Sequence, residues 1–397
     1  MGPTSPNSLS KIFRLALLCA VVAGLSSLLA PSANASSRYV STKAPYAVIM
    51  DAESGDILFE KEARVPIPPA SMSKLMTAAV VLDLIQKGEI GPDTLFAVSE
   101  KAWRTGGSKM FVLVDTQIRV EDLLKGLIVQ SGNDAAVVLA ENIAGSEEAF
   151  ARLMTQRARE WGLQHSRFSN PSGQTDEGQR MSAIDLARLA RRIWTQFPDY
   201  RYIFGMKTFT WSDIEQRNRN PLLDSFNGAD GMKTGHTEEA GWSIVGTAER
   251  EGRRFFIVAA GLSTQQSRAD EADRLMRIAF EDFATRTFFE AGEVVAEAEV
   301  FGGQKDVVPL RIDAPLRFTR HRRVLDQADA KVIYTGPLTA PVRKGEQVAI
   351  LEVSLPDEPT REYPLYVAET VRGLSPTAKI GLGVRVLFTP PETAARP

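Results

Sequence analysis

Three short groups of hydroxyl, amine and amide side chains follow one another along the chain and could together carry out nucleophilic chemistry. The first places Ser71 three residues before Lys74, directly after Pro68 and Pro69. Proline disfavours helix in the residue before it but is tolerated where a helix begins, and apolar residues then recur at helical spacing as far as Ile85. Ser71 and Lys74 are therefore predicted to share one helix face, where an amine can serve as the base for a serine nucleophile.

Taken alone, this pair is a weak signal. The same Ser-x-x-Lys spacing occurs at Ser8 and Lys11, and short motifs often match by chance. Ser71 could equally be an N-cap serine that is followed by a surface lysine. The other two groups decide between these interpretations.

The second group, Ser131-Gly132-Asn133, separates two apolar segments that are each predicted to be helical. A loop between helices can lie at the edge of a cleft, where functional side chains are common. There the Ser131 hydroxyl could relay a proton, and the Asn133 carboxamide could hold a substrate amide or a lysine.

The third group, Lys233-Thr234-Gly235, occurs once and precedes a strand-like run that begins at Ser243. Glycine allows a substrate backbone to approach an edge strand closely, and such an edge can bind an extended peptide by strand addition. Lys233 and Thr234 could bind a carboxylate. For an isolated Lys-Thr-Gly, a cationic hairpin turn is the alternative.

The first part of the chain is predicted to have strands at both ends and helices between them. Strands are predicted at Tyr46–Asp51 and Ile57–Glu60, which form a hairpin, and at Ser243–Thr247 and Phe255–Ala260, before a final helix at Ala269–Thr285. This pattern predicts an α+β fold in which one antiparallel sheet, built from both ends of a domain, packs against helices.

From about Glu290 the pattern changes to short strand-like runs separated by glycine and proline turns, which is typical of a small all-β domain. That domain carries no group of catalytic residues, so a spacer or packing module is the simplest interpretation. The segments that we predict are a signal peptide (1–35), a catalytic domain (36–288), a C-terminal β-sandwich domain (289–371) and a tail (372–397).

Residues 1–35 have the three parts of a secretory signal. Lys11 and Arg14 give a positive start, an apolar run follows, and Ala33-Asn34-Ala35 is an A-x-A cleavage site. Cys19 lies in the apolar run and is the only cysteine, so the mature chain would have neither disulfides nor cysteine zinc ligands.

The overall composition argues against two other classes of partner. The formal net charge is −2, and no block of basic residues points to nucleic acid. The three histidines lie far apart in the sequence, so no histidine metal cluster is expected.

The three groups occur in the order that is found in serine/lysine acyltransferases. Over nearly all of the predicted mature chain, the sequence resembles the low-molecular-mass penicillin-binding proteins, the serine-type D-alanyl-D-alanine carboxypeptidases of bacterial envelopes. The most specific match is Asp230–Thr237, with Gln216–Asn220 before it and Ala240-Gly241 after it. The resemblance implies a catalytic domain of the β-lactamase and transpeptidase type, often followed by a β-domain, and no cofactor.

The resemblance also implies a mechanism. Ser71 attacks the carbonyl of the penultimate D-alanine of a peptidoglycan stem peptide, and Lys74 takes the serine proton. Burial and the nearby cation Lys233 would favour the neutral amine that this step needs. Ser131 relays the proton towards the leaving nitrogen, and Asn133 holds the substrate amide and Lys74.

The same resemblance implies how substrate is held. The backbone N–H groups of Ser71 and His236 would form the oxyanion hole. Penicillins would mimic the dipeptide and acylate Ser71. The residues implied in substrate binding are Lys233, Thr234, Gly235, His236 and Arg268, of which Lys233, Thr234 and Arg268 would hold the terminal carboxylate.

Two features depart from the family pattern. A histidine that is common shortly after the loop Phe168–Gly173 is replaced near Gln179-Arg180. Many members end in an amphipathic membrane anchor, whereas Lys379–Phe388 alternates like a strand and Pro390-Pro391 follows it. We therefore expect an exported protein of the periplasm or cell envelope, with peripheral membrane contact through the C-terminal region as a further hypothesis.

Three rival functions share parts of this pattern. A class A β-lactamase needs a glutamate that activates the deacylating water, and no Glu-x-x-Leu-Asn signature is found. A D,D-endopeptidase that cleaves peptide cross-links would use the same site on a longer leaving group. A non-enzymatic wall-binding or β-lactam-sensing protein is the third, although all three motifs are intact.

Overall fold

The structure is a computed structural model that describes residues 39–375 and residue 378. The predicted signal segment, with Cys19, lies outside the described residues, as does the strand-like run predicted at Lys379–Phe388. All of the described residues belong to one compact unit of the chain.

The catalytic part of the chain has strands towards both ends and an uninterrupted run of helices between them. The strands are β1 (Tyr46–Asp51), β2 (Ile57–Lys61), β3 (Leu95–Ala97), β4 (Gln117–Arg119), β5 (Thr208–Trp211), β6 (Ile214–Arg217), β7 (Ala229–Thr237), β8 (Gly241–Arg250) and β9 (Arg253–Leu262). The helices are α1 (Lys74–Gln86), α2 (Glu100–Arg104), α3 (Val120–Ile128), α4 (Asn133–Ala144), α5 (Glu147–Glu160), α6 (Ala183–Gln196), α7 (Arg201–Gly205), α8 (Leu222–Ser225) and α9 (Gln265–Glu281). Short 3₁₀ helices cover Ala70–Ser73 and Pro198–Tyr200.

The predicted sheet is confirmed. It is antiparallel, has the strand order β2-β1-β9-β8-β7, and joins the first two strands to the last three. The β8–β9 hairpin turns through Glu251 and Gly252, whose φ values of 53° and 72° suit a tight two-residue turn. Because β7 ends the strand order, one of its two edges faces away from the sheet.

Both faces of the sheet are covered, which explains its nearly continuous apolar strands. Successive side chains of a strand point to opposite faces. Val48 and Met50 accordingly belong to the core shared with the helical layer, whereas Ala47 and Ile49 pack with α9 on the other side. None of the helices in the described part of the chain is long and apolar enough to cross a membrane.

Between residues 283 and 367 the C-terminal part is all-β apart from one short helix, and it has its own apolar core. Its elements are β10 (Phe283–Phe289), β11 (Val294–Phe301), β12 (Val307–Arg311), β13 (Leu316–His321), α10 (Arg322–Leu325), β14 (Asp329–Tyr334), β15 (Leu338–Thr339), β16 (Gln347–Ser354) and β17 (Arg361–Val367). A six-stranded sheet has the order β14-β16-β17-β12-β11-β15, and β10 pairs with β13 in a second sheet.

The helix predicted at Ala269–Thr285 is wrong at both ends. It begins at Gln265, where Thr264 and Ser267 form a capping box, and it ends at Glu281. Phe283 then starts β10, which pairs with β13 of the β-domain. Long-range strand pairing overrides local helix propensity there. The predicted domain boundary at residue 288 stays a prediction.

An ion cluster joins the β-domain to the turn that follows β1. Arg320 is almost fully buried, donates to Asp56 at 2.7 Å, and donates to Glu358 at 2.6 Å and 3.0 Å. Removing one partner of a buried ion cluster leaves an uncompensated charge. Arg320 therefore helps to hold the β-domain against the edge of the catalytic sheet.

Candidate active site

The predicted nucleophile lies just before α1. Ala70 has a left-handed φ of 47°, and the 3₁₀ turn Ala70–Ser73 leads directly into the helix at Lys74. A residue other than glycine in this region of backbone space is uncommon and is found preferentially at functional sites. This turn leaves Ser71 partly exposed while Lys74 is fully buried.

The Lys74 amine touches the predicted nucleophile and the second motif. It donates to the Ser71 hydroxyl at 3.0 Å, to the Asn133 side-chain oxygen at 2.8 Å, and to the carbonyl oxygen of Ser172. Burial lowers the pKa of Lys74 to about 7, and the positive charge of Arg219 adds to this effect. A large fraction of the amine is therefore neutral near pH 7 and can accept a proton from Ser71.

The second motif lies where α3 ends and α4 begins. Ser131 has a left-handed φ of 59°, and its hydroxyl accepts a hydrogen bond from the Lys233 amine at 3.0 Å. Asn133 donates from its side-chain nitrogen to the Gly106 carbonyl at 2.9 Å, so its oxygen is turned towards Lys74. The structure therefore brings the second motif against both lysines, with Asn133 bonded to Lys74 and Ser131 bonded to Lys233.

The third motif lies within β7, as expected for an edge strand. A side chain at Gly235 would place its Cβ only 2.9 Å from the carbonyl oxygen of Pro69, so glycine lets β7 approach the turn that carries Ser71. Lys233 also donates to the Thr234 carbonyl at 3.1 Å. Burial lowers the pKa of Lys233 well below its usual value, and the positive charge of Lys74 contributes.

A cavity of about 960 Å³ opens in front of these groups. Arg268, which is nearly buried, lies over the Trp242 ring at 5.2 Å and donates to the Arg219 carbonyl at 3.2 Å. Burial, with the positive charge of Arg219, lowers the pKa of Arg268 to about 10, so it remains a cation near neutral pH. The predicted site residues that line this cavity are Ser71, Ser131, Thr234, Gly235, His236 and Arg268.

Three residues of the site were missed by sequence reasoning. Arg219 lies in the segment quoted for the resemblance, but it received no role, and the cation expected to lower the Lys74 pKa was Lys233. Arg219 also lowers the pKa of Lys74 by its positive charge, and its guanidinium donates to Ser108 at 2.7 Å. Lys233 contributes as expected, because the repulsion between the two buried amines is mutual. The second is the Ser172 carbonyl, which contacts Lys74 from a loop ninety-eight residues away in sequence.

Asp134 is a third missed residue, and it shapes the rim of the site. Its buried carboxylate accepts hydrogen bonds from the backbone N–H groups of Met110, Phe111 and Val112 at 2.8–3.2 Å. A carboxylate forms stronger hydrogen bonds to backbone N–H groups than a neutral acceptor does. The sequence did contain a signal for this residue, because an acidic side chain directly follows Ser-x-Asn in the first turn of α4.

Gln179 supports the loop that lies behind Lys74. This nearly buried residue stands near the place where the family histidine is common, and its side-chain oxygen accepts from the backbone N–H groups of Ser169 and Asn170 at 2.7 Å and 3.2 Å. These bonds fix the start of the loop that supplies the Ser172 carbonyl. With glutamine near the place of the family histidine, the loop is still anchored by hydrogen bonds.

Gly173 provides a sharp test of this packing. Its φ is +81°, and a Cβ there would lie 1.9 Å from the carbonyl oxygen of Ala70, the residue before Ser71. We expect Gly173→Ala to displace Ser71 and to slow its acylation by about 100-fold, because misplacement of a reacting group by about 1 Å can have that effect. Acylation by a fluorescent penicillin measures this rate.

The matched control is Gly162→Ala. Gly162 has a similar φ of +76°, but a Cβ there meets nothing within 4 Å. It should lower stability by about 1 kcal/mol through backbone strain alone and leave acylation unchanged. Equal acylation rates in the two variants would contradict the proposed contact between Gly173 and the nucleophile turn.

Comparison with known proteins gives a consistent result. A family model for D-alanyl-D-alanine carboxypeptidase matches residues 32–264, more than half of the chain, and a model for the C-terminal domain of penicillin-binding protein 5 matches residues 283–372. The D-alanyl-D-alanine carboxypeptidase DacC of Escherichia coli (strain K12) is 35% identical over 355 residues, which is 87% of this chain and 89% of the relative.

Solved structures show the same likeness. The D-alanyl-D-alanine carboxypeptidase DacD from Francisella tularensis superposes with a TM-score of 0.73 at 29% identity, covering 84% of this chain and 95% of that one. Penicillin-binding protein D2 from Listeria monocytogenes, solved in an ampicillin-bound form, gives a TM-score of 0.56 at 29% identity over 61% of this chain and 99% of that one. The chain therefore belongs to the D-alanyl-D-alanine carboxypeptidase family, and its C-terminal part is of the penicillin-binding protein 5 type.

Proposed function

We propose that Ser71 is the nucleophile with which this serine-type carboxypeptidase removes the terminal D-alanine from peptidoglycan stem peptides. The observation that carries the proposal is the contact of 3.0 Å between the Ser71 hydroxyl and the buried Lys74 amine, whose pKa is lowered to about 7. A hydroxyl beside an amine that is largely neutral at physiological pH is an activated nucleophile.

Acylation moves one proton and exchanges one bond. The Ser71 oxygen forms a bond to the carbonyl carbon of the penultimate D-alanine while Lys74 accepts the hydroxyl proton. The C–N bond to the terminal D-alanine then breaks. The proton taken up by Lys74 is relayed through Ser131, which is hydrogen-bonded to Lys233, to the leaving nitrogen. Lys74 is then neutral again, and one proton has moved from Ser71 to the departing D-alanine. Water then hydrolyses the acyl-enzyme and frees Ser71.

Charge that develops on the carbonyl oxygen needs nearby donors. We assign this role to the backbone N–H groups of Ser71 and His236. The close approach of β7 to the nucleophile turn at Gly235 supports the assignment, because it brings these two backbone segments together. Backbone donors fixed in advance at such a position commonly contribute about 3–4 kcal/mol to catalysis.

The terminal carboxylate of the substrate is assigned to the cationic end of the cavity. Thr234 offers a hydroxyl there, and Arg268 offers a guanidinium that stays charged at neutral pH. Lys233 lies beside them, and a bound carboxylate would favour its protonated form. Asn133, held by Lys74 and Gly106, is assigned to the amide of the acyl part.

Arg268→Gln tests the carboxylate assignment. We expect kcat/KM for a peptide with a free terminal carboxylate to fall by about 30-fold, because a charge-assisted hydrogen bond contributes about 2 kcal/mol. The matching peptide carboxamide should be cleaved at an almost unchanged rate. Equal losses on the two substrates would remove this role from Arg268. Arg277→Gln, on an exposed position of the same helix, is the control.

D-Alanine release tests the proposed function as a whole. The substrate is a pentapeptide that ends in D-Ala-D-Ala, and a cross-linked dimer of stem peptides is assayed beside it. Faster release from the pentapeptide supports the carboxypeptidase. Cleavage of the dimer alone would favour the endopeptidase, and penicillin labelling without turnover of either substrate would favour a sensor.

We place this activity outside the cytoplasmic membrane. The signal-like pattern of residues 1–35 supports export, and peptidoglycan stem peptides in the cell envelope are the substrate that the family implies. Peripheral membrane contact through the C-terminal region remains a separate hypothesis. Co-sedimentation with anionic vesicles, with and without residues 376–397, would test it.

A further inference from the structure

A separate cavity of about 550 Å³ shares no lining residue with the catalytic cavity. One wall is the C-terminal part of α5, and the other is formed by the chain on either side of the loop that supplies the Ser172 carbonyl. Basic side chains line both walls, and none of the described lining residues is acidic. The basic residues are Arg159, His165, Arg167 and Arg180.

Two of these arginines are held opposite each other. Arg167 and Arg180 pair in an antiparallel β-bridge, with backbone hydrogen bonds of 2.8 Å and 3.0 Å in the two directions. Opposite residues in such a pair have Cβ atoms about 4.5–5.5 Å apart, and like charges there are unfavourable. An anion that bridges the two guanidinium groups would replace this repulsion with attraction.

Two of the three guanidinium groups have no acidic partner. Arg159 makes no side-chain hydrogen bond or ion pair within the described part of the chain, and Arg167 donates only to the backbone carbonyl of Glu177, at 3.0 Å. Arg180 is already engaged, because it lies 3.2 Å from the Glu239 carboxylate and donates to two backbone carbonyls. Arg159 and Arg167 therefore have donors to spare for a ligand.

The carboxylates around the cavity do not take these donors. Asp185 is buried and accepts from the Ser166 hydroxyl at 2.9 Å and from the His165 backbone N–H at 2.7 Å. Asp176 is exposed, and its pKa is lowered by the Gly178 backbone N–H and further by the charges of the two bridged arginines. Asp176 is thus an internal competitor for a ligand, but it is bonded elsewhere and does not line the cavity.

Three guanidinium groups around one cavity suit an anion that carries two or more negative charges. A guanidinium presents its N–H donors in a fixed fork that matches the oxygens of phosphate or carboxylate. A single carboxylate brings one charge and two oxygens, whereas a phosphomonoester brings nearly two charges and three acceptor oxygens. Gln164, which is exposed at the cavity, adds a neutral amide donor.

The cavity also lies against the two segments that lead to the catalytic contacts. Arg180 pairs with Arg167, and the next residue, Met181, pairs with Ile67. Ile67 leads through two prolines to the nucleophile turn, and Arg167 begins the segment that reaches the Ser172 carbonyl. A ligand that fastens the first bridge would therefore stabilise the second one beside it.

We propose that this cavity binds a phosphate-class oxyanion through Arg159 and Arg167, with Arg180 adding its charge. The anion is either free in solution or carried as the phosphomonoester of a lipid headgroup. The site is distinct from the catalytic cavity, and its occupation does not depend on any reaction at Ser71.

Calorimetric titration of the protein with inorganic pyrophosphate tests the site. At an ionic strength of about 0.15 M, which screens weak long-range attraction, we expect a Kd of about 1 mM or lower. Arg159→Gln and Arg167→Gln should each raise this Kd about fivefold or more, as suits partly exposed ion contacts. Arg152→Gln is the matched control, because Arg152 is an exposed arginine of α5 that does not line the cavity.

Two measurements separate this site from the cationic catalytic cavity. Protein whose Ser71 has been acylated by penicillin should bind pyrophosphate with an unchanged Kd. Pyrophosphate should also slow hydrogen exchange at the bridged amides, which are the backbone N–H groups of Ile67, Arg167, Arg180 and Met181. Amides of the β-domain provide the internal reference.

Co-sedimentation with phosphatidylcholine vesicles, with and without phosphatidic acid, separates the two sources of the anion. Binding that needs phosphatidic acid and falls in Arg159→Gln and Arg167→Gln supports the lipid headgroup. Binding of pyrophosphate without such vesicle binding supports the free anion.

Three results would overturn the proposal. The first is that neither pyrophosphate nor the phosphatidic acid vesicles bind. The second is that Arg159→Gln and Arg167→Gln bind pyrophosphate as tightly as wild type. The third is that acylation of Ser71 abolishes pyrophosphate binding, because the anion would then occupy the catalytic cavity.

Discussion

Ser71→Ala is expected to abolish both D-alanine release and covalent labelling by penicillin. Without the hydroxyl, no acyl-enzyme can form, and the Lys74 amine loses the partner it contacts at 3.0 Å. Removing the nucleophile of a serine acyl-transfer site typically lowers kcat by about 10⁶-fold, which is below detection in both assays. Mass spectrometry of the penicillin-treated protein and a D-alanine assay measure the two losses.

Ser73→Ala is the matched control for this variant. Ser73 lies two residues away in the same turn, is fully buried, and its hydroxyl has no hydrogen-bond partner among the residues that the structure describes. Its removal should leave acylation intact and should not lower stability, because an unsatisfied buried hydroxyl is unfavourable. Penicillin labelling that survives in Ser71→Ala would end the assignment of the nucleophile.

The three motifs could be found from sequence because their chemistry is local. Ser71 and Lys74 share one helical turn, Ser131 and Asn133 share one loop, and the prolines before Ser71 mark where the turn begins. Alternating and buried strand patterns likewise predicted the hairpin β1–β2 and the strands β8 and β9. Signals of this kind need no knowledge of distant contacts.

The residues that sequence reasoning missed act over long distances in the chain. Asp134 anchors a loop more than twenty residues before it, Ser172 reaches Lys74 through its backbone carbonyl, and Arg219 acts on Lys74 by charge. A backbone carbonyl has no residue signature, and a charge effect depends on burial and on distance. The end of α9 was misplaced for a related reason, because β10 forms only by pairing with β13.

Lys74→Met should lower the rate of Ser71 acylation by about 10³-fold or more. Methionine fills most of the space of the buried lysine, so the change mainly removes the base and not the packing. A positioned general base contributes about 10²–10⁴-fold, and the hydrogen bonds to Asn133 and Ser172 are lost with it. Lys87→Met is the control, since Lys87 is exposed beyond the end of α1.

The pH dependence of acylation separates a base from a structural lysine. Burial lowers the pKa of Lys74 to about 7, so the amine is protonated below that pH and cannot accept the Ser71 proton. In wild-type protein the second-order rate of penicillin acylation should therefore fall about tenfold per pH unit below pH 7 and level off above it. The residual rate of Lys74→Met should lack this step. A wild-type profile that stays flat from pH 5 to pH 8 would show that Lys74 does not take the proton. The base would then be sought at Ser131 and Lys233, which form the other hydroxyl–amine pair of the site.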